Sequence, residues 1–316
     1  MRWMLIAVGV FTAMPSVAEE MTLRGVSAFA LGTTFSRPFE AFVDWVNANG
    51  EGTIQIDLRG GPETMSPFEV GNAVSTGVVD IANNTSAFYT GLVPTGDALH
   101  LATNTIQDQR ANGCFEQIDA IHREQMNVKY LARTGDHIAF HLYLTKRIDR
   151  PDLSGLTIRT TPVYRAMFET LGATLVRTAP GEVYTALERD AIDGYGWPVQ
   201  GVLDLGWEEQ TKFRVDPGFY QVDVNFLVNL DTWNALDEPQ RTVLEQGAEL
   251  IEAANANNIL LNAEATRKQA EAGIEIITFD ESDTKHWLEV AQTAGWATVT
   301  EIDPRIAAAL KACLLN

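Results

Sequence analysis

Two stretches of the chain, residues 22–82 and 156–197, run through the same order of signals: strand, helix, strand, helix, strand. In the first, TLRGVS (22–27) reads as a strand, and Phe35, Phe39, Phe42, Val43 and Val46 recur at helical spacing until Gly50. TIQIDL (53–58) then alternates with period two, residues 66–76 are helical, and VVDIA (78–82) reads as a short buried strand. In the second stretch the strands are LTIRT (156–160), ATLVRT (173–178) and AIDGYGW (191–197), with helices over 163–171 and 182–189 between them. Even the last joints match, Thr76-Gly77-Val78-Val79-Asp80-Ile81 against Arg189-Asp190-Ala191-Ile192-Asp193-Gly194. Alternation of this kind builds a mainly parallel sheet covered by helices, and at 316 residues the chain exceeds what one core usually holds. The expectation is an α/β protein of two lobes, each a mixed, mainly parallel sheet flanked by helices.

The predicted division places lobe I at 19–138, with later segments returning to it, and lobe II at 139–228, entered through the strand HIAFHLYLTKRID (137–149). Residues 229–316 then supply a long helix and carboxyl-terminal segments that pack on both lobes. That helix runs over 237–273: Asp237 suits the N-cap, Pro239 the first turn, Gln240 the capping box, and Gly273 ends it. About 35 residues at ~1.5 Å rise span ~50 Å, so the helix must lie across both lobes. Its inner stripe, Leu244, Ala248, Ile251, Ala254 or Asn255, Asn258 and Asn262, is apolar early and polar later. The alternative to an unbroken helix is a break at Asn255–Asn258, where helix propensity is weak.

Residues 1–18, MRWMLIAVGVFTAMPSVA, have one basic residue, a short apolar run, Pro15 and small residues before the expected cleavage after Ala18. This pattern predicts a secretory signal peptide and a periplasmic mature protein. Export puts Cys114 and Cys313 in a compartment where they can pair; the alternative is two buried thiols. The mature chain is acidic, with a formal net charge of −19 for the whole sequence, which argues against nucleic acid as a partner. Any anionic ligand must then be held by a few individual arginines.

Dinucleotide, P-loop, HExxH and GxSxG motifs are missing, so no enzymatic activity, cofactor or metal is expected. His137 and His141 are four apart, but in a strand they share a face without a third ligand. Arg159 ends the strand LTIRT, where open α/β sheets bind ligands, and its fork suits a carboxylate.

The stretch Asp152-Leu153-Ser154-Gly155-Leu156-Thr157-Ile158-Arg159 resembles the D-L-x-G-[LM]-K-[IL]-R signature of the DctP-like periplasmic solute-binding proteins of TRAP transporters. Gly172-Ala173, Gly181 to Glu188, and Ile192-Asp193-Gly194 with Trp197-Pro198 resemble that family's second conserved block, and Gly77-Val78-Val79-Asp80 its first-lobe joint. The resemblance implies a two-lobed, monomeric binding protein that closes on an organic acid, with Arg159 on its carboxylate, and passes it to a sodium-driven membrane permease. A sensor subunit of the same fold, or a secreted α/β enzyme, is the alternative. Many members carry a second arginine where this chain offers His141. The 2-oxo-acid branch has a metal-binding glutamate where this chain has Gly196, so no metal is expected. The anticipated cleft comprises Phe29, Asn84, Thr85, Arg159, Tyr195, Trp197 and His141, with Asp223, Asn225 and Asn229 from the strand 223–229. Its aromatic side chains suggest a flat or apolar ligand body.

Overall fold

A computed structural model describes residues 20–315; the expected signal segment 1–18 lies outside the described residues. The strands are Met21–Ser27 (β1), Ile54–Leu58 (β2), Ile81–Asn84 (β3), Val128–Thr134 (β4), Phe140–Leu144 (β5), Thr157–Thr160 (β6), Thr174–Arg177 (β7), Gly194–Pro198 (β8), Phe213–Asp216 (β9), Val224–Asn229 (β10) and Glu275–Thr278 (β11). They form two sheets, β2-β1-β3-β10-β4 and β11-β9-β5-β8-β6-β7. The repeated units supply the parallel pairs β1–β2, β1–β3, β6–β7 and β6–β8, in which Arg159 stands opposite Tyr195. The antiparallel strands β10 and β5 join on from elsewhere in the chain.

One boundary needs correcting. Residues 224–228, expected in lobe II, lie inside the first sheet as β10, between β3 and β4. A hydrophobic run such as Val224–Asn229 says that a strand is buried, and nothing about which sheet takes it. The lobes are therefore joined by two short crossings, Gly135–Ala139 and Pro217–Asp223, tied by a bridge between Ala139 and Gln221. Two crossings over short loops make a hinge.

The long helical segment starts as expected, with the Asp237–Gln240 capping box formed. It is not one unbroken α-helix: Glu238–Ala253 passes through a 3-10 turn, Ala254–Asn257, into Asn258–Glu271. The first part packs on lobe I through Leu244 and Ala248; the second meets lobe II, where Gln269 bonds to the Val199 carbonyl. The asparagines of its polar stripe explain the break. Asn255 accepts from the Gly135 amide and donates to the Arg133 carbonyl, Asn258 donates to the Asp136 carbonyl, and Asn262 to that of His137. Backbone groups freed where the chain changes lobes must be satisfied, and these three carboxamides do it. A second helix, Glu281–Ile302, also touches both lobes. Among the described residues no helix is long and apolar enough to cross a membrane.

The cysteines are joined: a Cys114–Cys313 disulfide ties the helix Cys114–Met126 to the terminal helix Pro304–Leu314, with Cα atoms 5.5 Å apart. Asn104 and Asn112 both donate to the Cys313 carbonyl, so the chain end is anchored to lobe I.

Candidate functional site

The carboxyl ends of β1 and β3 face those of β6 and β8 across the gap between the lobes. Arg159, at the end of β6, is fully buried. Its Nε and Nη2 both donate to the Thr178 carbonyl, at 3.1 and 3.0 Å, while Nη1 is buried with no partner. Burial pulls the guanidinium down from its usual value, opposed by the neighbouring Tyr164 hydroxyl. A buried cationic donor left unpaired is costly, and here it is the end of a planar fork. The guanidinium carbon lies 5.7 Å from the Trp197 ring centroid.

Trp197, near the end of β8, is the side chain on which the site converges. It meets Phe35 of lobe I edge-on at 6.0 Å and Trp207 at 4.7 Å. An inner cavity of about 20 Å³ is walled by Phe29, Phe35, Phe88, Phe140, Tyr164 and Trp197, with Thr85 and Asp223. It holds about one water. An outer cavity of about 330 Å³ shares Phe29, Phe35 and Trp197 and opens between Pro62 and Pro67 of lobe I and Ala179–Glu182 and Asp204 of lobe II. The lobes already touch across it: the Thr34 amide donates to Asp204 Oδ2 at 2.6 Å, and Arg177 stacks on Phe68 at 4.2 Å.

Of the anticipated residues, Phe29, Thr85, Trp197 and Asp223 line these cavities, and Arg159 lines neither but stands beside the Trp197 ring. The others do not line either cavity. Tyr195 shares a face with Trp197 but sits one strand repeat back, stacked on Tyr143 with its hydroxyl on Thr211. His141 pairs opposite Trp197, yet its Nδ1 is held by the Val215 carbonyl and by Asp216. Burial pushes the Asp216 carboxyl up, but the bonds to His141 and Arg214 hold it at about 2. Asn225 joins Tyr89, Tyr130 and Asp223 in the lobe I core. Asn229 caps the next helix turn at Thr232. Asn84 turns its Oδ1 to the Thr85 amide and keeps a buried, unpartnered Nδ2.

Tyr164 was missed, and Gly196 was the available clue: a Cβ there would stand 2.9 Å from the Tyr164 ring, so a glycine in mid-strand marks where that ring lies against β8.

A buried Ser86–His100–Asp223 cluster flanks the inner cavity. Both Ser86 Oγ and Asp223 Oδ1 lie on His100 Nε2, at 2.9 and 2.8 Å, while Nδ1 faces the Gln221 carbonyl. A catalytic triad needs acid and nucleophile on opposite ring nitrogens, so this arrangement cannot relay a proton to Ser86. Nearby Asp97 has a buried Oδ1 without a partner. Burial pushes its carboxyl up to about 7, against the pull of His100 and with the push of Asp223. A carboxyl whose folded pKa is raised costs stability as pH climbs from the unfolded value near 4 through 7. Asp97→Asn should therefore match wild type near pH 4 and exceed it at pH 8, by at most ~4 kcal/mol for three units at ~1.4 each. Melting temperatures across that range check this; a constant difference at all pH values would contradict it.

The family model described as bacterial extracellular solute-binding protein, family 7, matches residues 28–298. The chain belongs to that family. It is 26% identical over 247 residues to a monocarboxylate 2-oxoacid-binding periplasmic protein of Nostoc sp., an alignment covering 73% of this chain and 66%, just under two thirds, of that relative. Among solved structures it is similar to a TRAP transporter solute-binding protein of Bordetella bronchiseptica with copurified calcium and picolinate (TM-score 0.82, 20% identity, 94% and 92% of the two chains). It is also similar to one of Chromohalobacter salexigens with bound D-glucuronate (TM-score 0.81, 20% identity, 92% and 99%). The two-lobed fold is thus that of these binding proteins.

Proposed function

We propose that this solute-binding protein works in the periplasm as the capture subunit of a TRAP-type secondary transporter, closing on an organic acid and handing it to a membrane permease. The observation that carries this reading is the buried, unpartnered Nη1 of Arg159, on a guanidinium 5.7 Å from the ring of Trp197, which lines both cavities between the lobes. A carboxylate on that nitrogen restores a charge-assisted hydrogen bond in a dry site, where such bonds are strong. Trp197 and Phe29 offer flat apolar surface to the ligand body, and Thr85 and Tyr164 supply hydroxyls. The named ligands of the relatives, a 2-oxoacid, glucuronate and picolinate, all contain a carboxylate.

Thermal-shift measurements against a panel of organic acids test the reading. Binding to the folded state alone stabilises by ~2.7 kcal/mol at one hundred times Kd, so a cognate acid should raise the melting temperature by several degrees. Small-angle scattering should show the radius of gyration shrinking as that acid saturates the site. Silence across the panel, with an unchanged scattering profile, would refute acid capture in the cleft.

A further inference from the structure

We infer that Arg177 and Phe68 form a latch across the mouth of the cleft, one that slows release of what the closed lobes hold. This rests on the proposed capture of an acid by lobe closure and adds the contact that sets how long capture lasts.

The two residues come from opposite lobes. Phe68 follows Ser66 and Pro67, which line the outer cavity from lobe I, and its ring is half-buried. Arg177 is the last residue of β7, the edge strand of the second sheet, and is exposed. Its guanidinium carbon lies 4.2 Å from the Phe68 ring centroid. Among the described residues Arg177 makes no side-chain hydrogen bond or ion pair, although the whole chain carries 42 acidic residues against 23 basic ones. It is a cation without an acidic partner on an acidic protein. What it covers instead is an aromatic face of the other lobe, to which the ring quadrupole attracts it.

Chain connectivity ties this contact to both walls of the site. Thr178 follows Arg177, and its carbonyl takes both bonds from Arg159; Ala179–Glu182, next in sequence, line the outer cavity. On the lobe I side the Phe68 ring meets Phe88 edge-on at 5.1 Å, and Phe88 lies 5.7 Å from Phe29, which lines both cavities. Neither Arg177 nor Phe68 lines a cavity itself, so their part is separate from ligand contact. Parting the lobes about the two hinge crossings pulls Arg177 off Phe68. The contact is therefore absent while a ligand enters and present once the lobes shut, and it acts on the rate of escape rather than the rate of entry.

Stopped-flow binding of 2-oxobutanoate, a monocarboxylate 2-oxoacid, tests the latch. Arg177→Gln, and separately Phe68→Leu, should raise the dissociation rate about two- to fivefold, the size expected for an exposed cation–π contact, and leave the association rate unchanged. The double variant should release no faster than the faster single one, because the two residues act through one contact. Phe68→Tyr keeps the ring face and should release at the wild-type rate. Lys285→Gln, which removes an exposed charge elsewhere, should change neither rate. A second readout needs no ligand: dyes on Glu51→Cys of lobe I and Glu188→Cys of lobe II, the native cysteines being paired, report the closed-to-open ratio by energy transfer. Arg177→Gln should lower that ratio by the same factor.

An unchanged dissociation rate in Arg177→Gln, or single effects that multiply in the double variant, overturns the latch while leaving acid capture intact. So does slower association at an unchanged dissociation rate, which would make Arg177 a steering charge. If 2-oxobutanoate and the rest of the acid panel fail to bind, acid capture falls and the ligand-free ratio alone decides the latch: a ratio that Arg177→Gln does not lower overturns it as well.

Discussion

Arg159→Ala weakens binding of the cognate acid by two to three orders of magnitude. The guanidinium anchors itself by two bonds to the Thr178 carbonyl and leaves Nη1 without a partner, the nitrogen proposed to take the ligand carboxylate. Removing one partner of a buried charge pair costs about 3–5 kcal/mol, since the remaining carboxylate is left desolvated, and each 1.4 kcal/mol is tenfold in Kd. The net charge of −19 does not alter this, because salt screens most of that field beyond ~8–10 Å while contact-range bonds persist. Arg159→Lys retains a charge but loses the planar fork: one ammonium must choose between Thr178 and ligand, so its affinity falls between the two. The alanine variant also orphans the Thr178 carbonyl, so the ligand-free melting temperature drops too. Affinity is therefore measured by calorimetry below that transition. Binding within about tenfold of wild type would remove Arg159 from the carboxylate site.

What could be read from the sequence follows the range of the interaction. The two lobes were legible because strand and helix periods are local, and so was the place of Arg159 in the fold, near the carboxyl end of the parallel strand β6. Trp197 was legible for the same reason. Tyr195 misled because alternation gives the face of a strand without the depth along it: two residues back from Trp197, the same face is core against Tyr143. His141 was placed by analogy with an arginine, and Asp216, the last residue of β9, claims it instead. Phe35 and Asp204 reach the site only because closure brings Phe35 to Trp197 and the Thr34 amide to Asp204 from residues 170 positions apart. The helix break was visible as weak propensity at Asn255–Asn258, but its reason, the hinge backbone those side chains hold, is a tertiary one.

Replacing both cysteines, Cys114→Ala with Cys313→Ala, destabilises the protein by about 4–5 kcal/mol while leaving affinity for the acid within about twofold. The bond closes a loop across a sequence separation of 199 residues, and constraint of the unfolded chain grows with the logarithm of loop length, reaching ~4.7 kcal/mol near 100 residues. The native state gives little of this back, because the terminal helix is held independently by Asn104 and Asn112 on the Cys313 carbonyl and by the Thr103 amide on that of Leu314. Both sulfurs lie in the lobe I core and neither residue lines the cavities between the lobes. The loss should therefore appear in the denaturant midpoint and not in the binding isotherm. Denaturant unfolding of the oxidised protein, the reduced protein and the double variant separates the terms: reduced protein and variant should agree within about 1–2 kcal/mol, the variant also having lost sulfur packing. A variant as stable as the oxidised protein would show that the unfolded chain gains no freedom from the missing link. A variant that unfolds at the same denaturant concentration but binds acid tenfold more weakly would place the disulfide in the mechanics of lobe closure instead.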